Sequence, residues 1–296
     1  MIHDAPVFRP GGDRIIMIEL GDEMSFDLNF ICHSYAAAIK DARIDGFVEL
    51  VPELATIMVS YDPDRISHDD MVAELTRAYG AIGPLDDLVL DSRVYHVPVL
   101  YWDPWTRECF DDYRQRISEK EWDVDMIIRL NGLDDRAHFK RVHTATEYWV
   151  AALGFWPGLC SLLPLDPRCW LTAPKYDPPR TWTPKGTIGL GGALTCIYPD
   201  QTPGGYQIFA RTPMPTWDLH QRLPAFRESP ALFKPGDRVR FVPIDREEYD
   251  HIDRQVQEGT YLHPYVDYQK FSIRNYHAWL KSLEGLQTDT GKGGKA

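Results

Sequence analysis

A chain of 296 residues, 44% hydrophobic and 26% charged, has the composition of a folded globular protein, with room for one large or two modest domains. Its formal net charge of −12 argues against nucleic acid or an anionic membrane as the main partner. No apolar run is long enough to span a bilayer, and MIHDAPVFRP lacks the features of a signal peptide, so a cytoplasmic chain without a membrane partner is expected.

Residues 1 to 12 read as a loose arm, and Arg14 to Leu20 (RIIMIEL) as a compact apolar strand. From Met24 to Ala42, Leu28, Ile31, Tyr35, Ala38 and Ile39 recur at helical spacing. Phe47 to Val51 and Ile57 to Tyr61 are strands about a turn at Pro52-Glu53. Ser67 or Asp69 can cap a second helix with Met71, Val72, Leu75 and Tyr79 on its apolar face, ended by Gly80 and Gly83-Pro84. A strand near Asp87 to Leu90 would complete the order βαββαβ, which predicts a ferredoxin-like small domain over residues 1–92.

Val94 to Tyr101 starts a second region. Trp102 to Trp122 is aromatic and charged, with part of it a short helix. Asp125 to Leu130 and Asp135 to Val150 are helical by pattern, broken at Asn131-Gly132. From Gly154 to Ile244 the texture changes to short strands and turns, which favours a β-barrel or sandwich over a layered α/β fold. The fold class is therefore α+β. Residues 246–285 hold Tyr249, Tyr261, Tyr265, Tyr268, Phe271, Tyr276 and Trp279, too aromatic for a disordered tail and expected to pack on the barrel or a partner. Gln287 to Ala296 reads as flexible.

The stretch from Gly154 to Pro213 concentrates the chemical interest. It is too rich in Gly and Pro for a helix, yet Ile188, Leu190, Ile197, Ile208 and Phe209 supply core residues throughout. Such a segment folds as tight turns and short strands in which glycines let a ligand or partner approach the backbone. GxSxG, a P-loop and a Rossmann fingerprint are all missing. Gly189 to Gly192 imitates GxGG, but no helical pattern follows it. Gly186 to Gly192 suits a turn and strand against which a ligand sits, and suits a purely structural turn equally. Arg168, Lys175, Arg180, Lys185 and Arg211 place five cations here, able to hold a carboxylate, a phosphate or an acidic face, or simply to be solvated.

Five cysteines, Cys32, Cys109, Cys160, Cys169 and Cys196, are odd in number and form no CxxC pair, which suits reduced thiols. Cys196 has no nearby histidine in sequence to make it a nucleophile. The ten histidines are scattered, without HExxH, and no metal is expected.

The segments GFWPG (Gly154 to Gly158), PPR (Pro178 to Arg180), PKGTIGLGG (Pro184 to Gly192), IYP (Ile197 to Pro199), TPGGY (Thr202 to Tyr206) and ARTP (Ala210 to Pro213) fall in the order and spacing of one family. LGDEMSFDLN (Leu20 to Asn29), VSYDP (Val59 to Pro63), HVPVLY (His96 to Tyr101), VHTATEYWVAALGF (Val142 to Phe155) and KPGDRVRFVPI (Lys234 to Ile244) extend the match. The chain resembles the family of the 5-oxoprolinase B subunit, allophanate hydrolase subunit 1 and the sporulation-kinase inhibitor, the carboxyltransferase subdomain C/D group, as a divergent member.

The resemblance implies a cyclophilin-like β-barrel over residues 93–245 with an insertion at 102–122, followed by an extension at 246–296. It implies an enzyme subunit, inactive alone, that shares an active site with a homologous cyclophilin-like partner, of the type of the 5-oxoprolinase C subunit or allophanate hydrolase subunit 2. Such pairs act on a small amide or lactam, in ATP-dependent lactam opening or as the carboxyltransferase half of a biotin-dependent urea carboxylase. ATP or biotin would then be carried by partner subunits and no cofactor by this chain. The alternatives are a regulatory protein that inhibits a histidine kinase, and a structural subunit of a carboxylase.

Within that frame His143, matching the family's histidine, or Tyr148, five residues on and read as part of the same helix, would handle a proton. A lone histidine on an amphipathic helix also serves as a satisfied structural residue. Arg180 and Arg211, each inside a family motif beside a proline, would stabilise negative charge with the backbone of Gly186 to Gly192. Substrate contacts would come from Phe155, Pro157, Gly158, Gly189, Gly191, Gly192, Thr195, Tyr198, Gly204 and Gly205, with Phe155, Trp156 and Tyr206 as pocket walls or as core. Asp125 matches a family aspartate and suits a cap or a pairing group equally. The family usually reads AGxQTGIYP where Gly191 to Pro199 has Leu194 in place of Gln and Cys196 in place of Gly, and Leu159 follows GFWPG in place of an aromatic. Losing a hydrogen-bonding Gln changes which substrate such a site accepts.

Overall fold

The computed structural model describes residues 2–267 and 269–290, with side chains as far as 283. Tyr268 and residues 291–296 of the expected flexible end lie outside the described residues. The chain divides into two compact units, Met1–Ser92 with Tyr268–Ala296, and Arg93–Asp267.

The first unit begins with strands β1 (Ile2–Pro10) and β2 (Ile15–Gly21), helix α1 (Phe26–Ala42), strands β3 (Phe47–Pro52) and β4 (Thr56–Tyr61), helix α2 (His68–Gly80) and strand β5 (Val89–Asp91). Alternation places Ile16, Ile18 and Leu20 of β2 and Ile57, Val59 and Tyr61 of β4 on one buried face. Leu28, Cys32, Tyr35 and Ile39 of α1 and Met71, Leu75 and Ala78 of α2 cover it. Tyr35 Oη donates to the Leu75 carbonyl at 2.7 Å, tying the helices together. Ser67 caps α2 by accepting from the Asp70 N–H.

The four-stranded antiparallel sheet has the order β1-β2-β4-β3. The expected loose arm is thus an edge strand, with Val7 opposite Glu19 and Phe8 opposite Ile18. The strand after α2 does not join this sheet. In a βαββαβ unit the last strand lies beside the first; here β1 holds that place, and its apolar Phe8 packs on the core.

The second unit runs β6 (Val94–Tyr101), α3 (Pro104–Arg116), α4 (Asp123–Leu130), α5 (Arg136–Thr144), β7 (Tyr148–Leu153), β8 (Cys160–Pro164), β9 (Thr187–Gly191), β10 (Leu194–Ile197), β11 (Gln207–Arg211), β12 (Arg238–Pro243), α6 (Arg246–Gln257) and β13 (Tyr265–Val266). Seven strands in the order β11-β9-β10-β8-β7-β12-β6 close into a barrel, because β6 also pairs with β11 through Tyr101↔Ala210 and Leu100↔Arg211. Closure leaves none of these seven with a free edge. Val97, Val99, Val150, Leu162, Ile188, Ile197, Phe209 and Phe241 fill the interior. The segment after Trp102 starts α3 with Asp103, which accepts from the Trp105 and Thr106 N–H groups, and with Pro104 in the first turn.

The expected helix from Asp135 to Val150 is two elements. Asp135 caps α5, which stops at Thr144, and Tyr148 begins β7. The apolar run Tyr148 to Leu153 is fully buried up to Ala152, and a run buried on both faces does not carry the period of a strand.

The C-terminal segment divides between the units. Helix α6 and β13 belong to the barrel unit, with β13 pairing with β6. Strand β14 (Lys270–Ser272) pairs with β5 in the first unit, followed by helix α7 (Ile273–Thr290). Phe271 and Tyr276 pack on Phe30 at ring centroid distances of 5.5 and 5.9 Å. His277 bridges two carboxylates, Asp86 through Nδ1 at 2.6 Å and Asp27 through Nε2 at 2.9 Å. Among the described residues no helix is long and apolar enough to cross a membrane.

Candidate functional site

Two places that differ in chemistry lie near strands β9, β10 and β11. Inside the barrel lies a cavity of about 10 Å³, close to the volume of a single water molecule, lined by His143, Tyr148, Cys169, Leu190, Thr195 and Phe209 among others. His143 is 1% exposed. Its Nδ1 lies 2.7 Å from Tyr101 Oη, and its ring stacks on Phe241 with centroids 4.5 Å apart. Burial pulls its pKa down to about 3, so the ring is neutral near pH 7 and a poor base. Nε2 has no hydrogen-bond partner among the described residues. Tyr148 faces the same cavity from β7, and burial pushes its phenol well above the usual range. The two expected proton-handling residues therefore meet in space although they stand on different elements.

Outside, a groove of about 220 Å³ runs past Lys185, Gly186, Tyr198, Arg211, Arg222, Tyr249, Asp253 and Gln257. It continues through the shared residues Lys185, Pro215, Arg222 and Val256 into a region of about 270 Å³ reaching Trp217 and Leu219. Arg211 is fixed by its Nε, which donates to the Lys185 carbonyl at 2.6 Å, and by the rings of Trp105 and Tyr249, 4.6 and 5.7 Å from its guanidinium carbon. Among the described residues its two terminal nitrogens and the Lys185 ammonium carry no hydrogen bond. Arg222 reaches Asp218 only at 3.7 Å. Three cations of an acidic protein thus face one groove with donors to spare.

Gly186 makes this turn possible. Its φ is +78°, and a Cβ there would lie 2.2 Å from the Thr212 carbonyl oxygen. Its N–H is already given to the Tyr198 carbonyl at 2.8 Å, and β9 is paired on both sides, so the expected backbone stabilisation of charge by Gly186 to Gly192 is corrected: those groups are spent on the barrel ladder.

Arg180, expected to stabilise negative charge on a substrate, is placed instead inside the protein. It is 1% exposed, and its guanidinium donates to the Tyr206 carbonyl at 2.5 Å and to Thr183 Oγ1 at 3.2 Å. Its carbon lies 4.4 Å from the centre of the Tyr176 ring. Tyr176 Oη reaches both oxygens of buried Asp123, at 2.7 and 2.6 Å, and Asp123 also accepts from the Ile208 N–H and from Lys120. Arg180 therefore anchors a buried polar network that holds β11, with its three guanidinium nitrogens all bonded internally.

The other expected residues scatter accordingly. Thr195 lines the interior cavity and Tyr198 the outer groove. Gly189, Gly191 and Gly204 give bare backbone to the rings of Tyr206 and Tyr198; a Cβ on Gly191 would come within 2.3 Å of Tyr206. Gly205 accepts from the Tyr176 N–H, and Gly192 bridges Ala173. Phe155 is 73% exposed, Trp156 38%, with Pro157 between them and Gly158, which is pressed against Trp217. None of these four reaches the interior cavity or the groove beside Arg211. Asp125 pairs with Arg136 at 3.2 Å on the surface. All five cysteines are buried and unpaired, and burial pushes the Cys196 thiol far from thiolate formation. Among the described residues no group of His, Cys, Asp and Glu gathers as a metal would require.

Sequence reasoning missed Arg222, and of the α6 residues Tyr249, Asp253 and Gln257 it named only Tyr249, as a packing aromatic. Their spacing of four was visible as one helical face, but nothing in the sequence said which way that face turns.

Residues 6–227 match the family model described as carboxyltransferase domain, subdomain C and D. The chain is 30% identical over 285 residues to urea amidolyase of Saccharomyces cerevisiae, covering 93% of this chain and 15% of that protein. It is 42% identical over 233 residues to the B subunit of 5-oxoprolinase from Escherichia coli O157:H7, covering 78% of this chain and 93% of that one. The crystal structure of the Kluyveromyces lactis urea carboxylase superposes with a TM-score of 0.84 at 25% identity, covering 100% of this chain and 27% of that one. The chain thus spans about one seventh of the urea amidolyase relative and nearly all of the 5-oxoprolinase relative.

Proposed function

Because the chain belongs to the carboxyltransferase family of subdomains C and D, we propose that it is one part of a composite enzyme, a carboxyltransferase of the urea carboxylase type acting on a small amide. The observation that carries this reading is coverage. The urea carboxylase structure matches the whole chain, α6 and α7 included, whereas the 5-oxoprolinase relative matches 78% of it. The higher identity of that relative, 42%, supports a second reading as a subunit of an ATP-dependent lactamase. In both, the first unit is a variant of the ferredoxin-like plan and the barrel is cyclophilin-like. The active site is completed by a homologous barrel subunit, and the chain works in the cytoplasm, where five unpaired thiols are at home.

The groove beside Arg211 is the part of the site on this chain. Charge that develops on a carboxyl or amide oxygen is stabilised best by cations fixed beforehand. Arg211 is fixed by Trp105, Tyr249 and the Lys185 carbonyl while two of its nitrogens stay available. Biotin on a partner component would supply the carboxyl group, and the uncommitted cations fit the anion so delivered. Arg211 and Lys185 would orient that anion, and the neutral His143 would hold the barrel interior in place.

The test is Arg211→Ala in the assembled complex, assayed for bicarbonate- and ATP-dependent consumption of urea and of 5-oxoproline. Turnover should fall about 100-fold or more, with complex assembly intact. Wild-type turnover would remove the groove from the site, and activity on 5-oxoproline alone would favour the lactamase.

A further inference from the structure

One wall of the groove comes from outside the segment that defines the family. The family match ends at residue 227, whereas Tyr249, Asp253, Val256 and Gln257 come from α6. This wall is rigid. The Asp245 side chain accepts from the Glu248 N–H while Glu248 accepts from the Asp245 N–H, a reciprocal cap that fixes the first turn. Arg246 pairs with Asp250 one turn on, and Ile252 and Val256 pack on the barrel core.

The polar groups of the two walls are complementary. Opposite the donor-only cations Lys185, Arg211 and Arg222, α6 presents acceptors. Gln257 Nε2 donates to Asp253 Oδ2 at 2.6 Å, which fixes both side chains. Asp253 Oδ1 and Gln257 Oε1 then remain as acceptors with no partner among the described residues. A simple carboxylate would satisfy the cations and meet repulsion from Asp253. A neutral amide would satisfy Asp253 and leave the cations empty. Only a ligand with an anionic oxygen end and an N–H end satisfies both.

We propose that α6 is the specificity wall of the groove, with Asp253 and Gln257 accepting from the N–H groups of a ureido or amide ligand whose carboxylate is held by Arg211 and Lys185. This rests on the reading of the groove as the anion site. Asp253 and Gln257 are specificity-determining residues here, and a family member with a different α6 would take a different acceptor.

The experiment is calorimetric titration of the assembled complex with two stable molecules of the same shape. N-carbamoylglycine carries a carboxylate and a ureido end; levulinate carries the same carboxylate, with a methyl and a methylene in place of the N–H groups. The wild type should bind N-carbamoylglycine about tenfold more tightly than levulinate, because a site built to accept from N–H penalises the analogue that lacks it. The double variant Asp253→Ala, Gln257→Ala should bring that ratio to about one while still binding levulinate. Gln257→Leu, at an exposed position, repeats the test with less risk to folding and should lower the ratio. Arg211→Ala should weaken both molecules alike.

Equal affinities in the wild type, or a ratio that the α6 variants leave unchanged, would overturn the proposal while the anion site stands. Levulinate affinity unchanged by Arg211→Ala would overturn the anion site itself, and no binding of either molecule would overturn both.

Discussion

The barrel interior and the outer groove lie close together along the chain, at β9 to β11 and at the ends of those strands, yet they solve opposite problems. The interior around His143 leaves only about 10 Å³ of space, and its ionisable groups are held neutral by burial. The groove around Arg211 offers about 220 Å³ and leaves the donors of its cations unspent. A buried site must satisfy its polar groups internally or neutralise them, and what is satisfied internally has nothing left for a ligand. Arg180 and Arg211 make the same point within one residue type: one is buried and saturated, the other half-exposed and available.

The hardest way to break this contrast is at the turn that leads from the groove into β9. Gly186→Ala forces a Cβ to 2.2 Å from the Thr212 carbonyl at a positive φ, where both the backbone and the contact oppose it. A destabilisation above about 5 kcal/mol is expected, read as loss of soluble folded protein or collapse of the thermal transition. Arg180→Ala should follow, at about 3–5 kcal/mol, since it strands buried acceptors and removes a charge from a packed network. Denaturant unfolding checks it, and a mild effect would mean that Arg180 is freer than its contacts indicate.

A pH titration sharpens the comparison further. His143 has a folded pKa of about 3 against about 6.5 unfolded. Above about pH 6.5 both states hold it neutral and it adds no pH dependence. Below that the unfolded chain binds a proton that the native state refuses, so its share of stability is lost steadily as pH falls towards about 3. His143→Phe should flatten the stability curve between about pH 6 and about pH 4, and an unchanged slope would assign the acid sensitivity elsewhere. The smallest stability effect belongs to the groove: Arg211→Ala should move unfolding by less than about 1 kcal/mol, despite the large loss of turnover predicted for it.

Much of the plan was legible. The strand Arg14 to Leu20 and helices α1 and α2 follow from short-range periodicity, which local sequence carries directly. The turn-rich stretch from Gly154 onward pointed to barrel or sandwich, and the closure of β6 on β11 selects a barrel. Where the reading failed, the deciding contact was distant. The first residues became a strand because β2 offered an edge, and β5 was drawn to β14, far away along the chain. His143 and Tyr148, read as one helix, stand on α5 and β7, and it is the barrel that brings them to one cavity.

By itself the sequence determined the family, the order of most elements and the segment whose glycines permit a barrel, because motif order, side-chain period and turn chemistry are local properties. It did not determine which of two motif arginines faces solvent, which glycine N–H groups are free, or that α6 walls the groove. Those were decided by burial and by pairing between strands far apart in the chain, and only the folded backbone fixes where a side chain's donors end up.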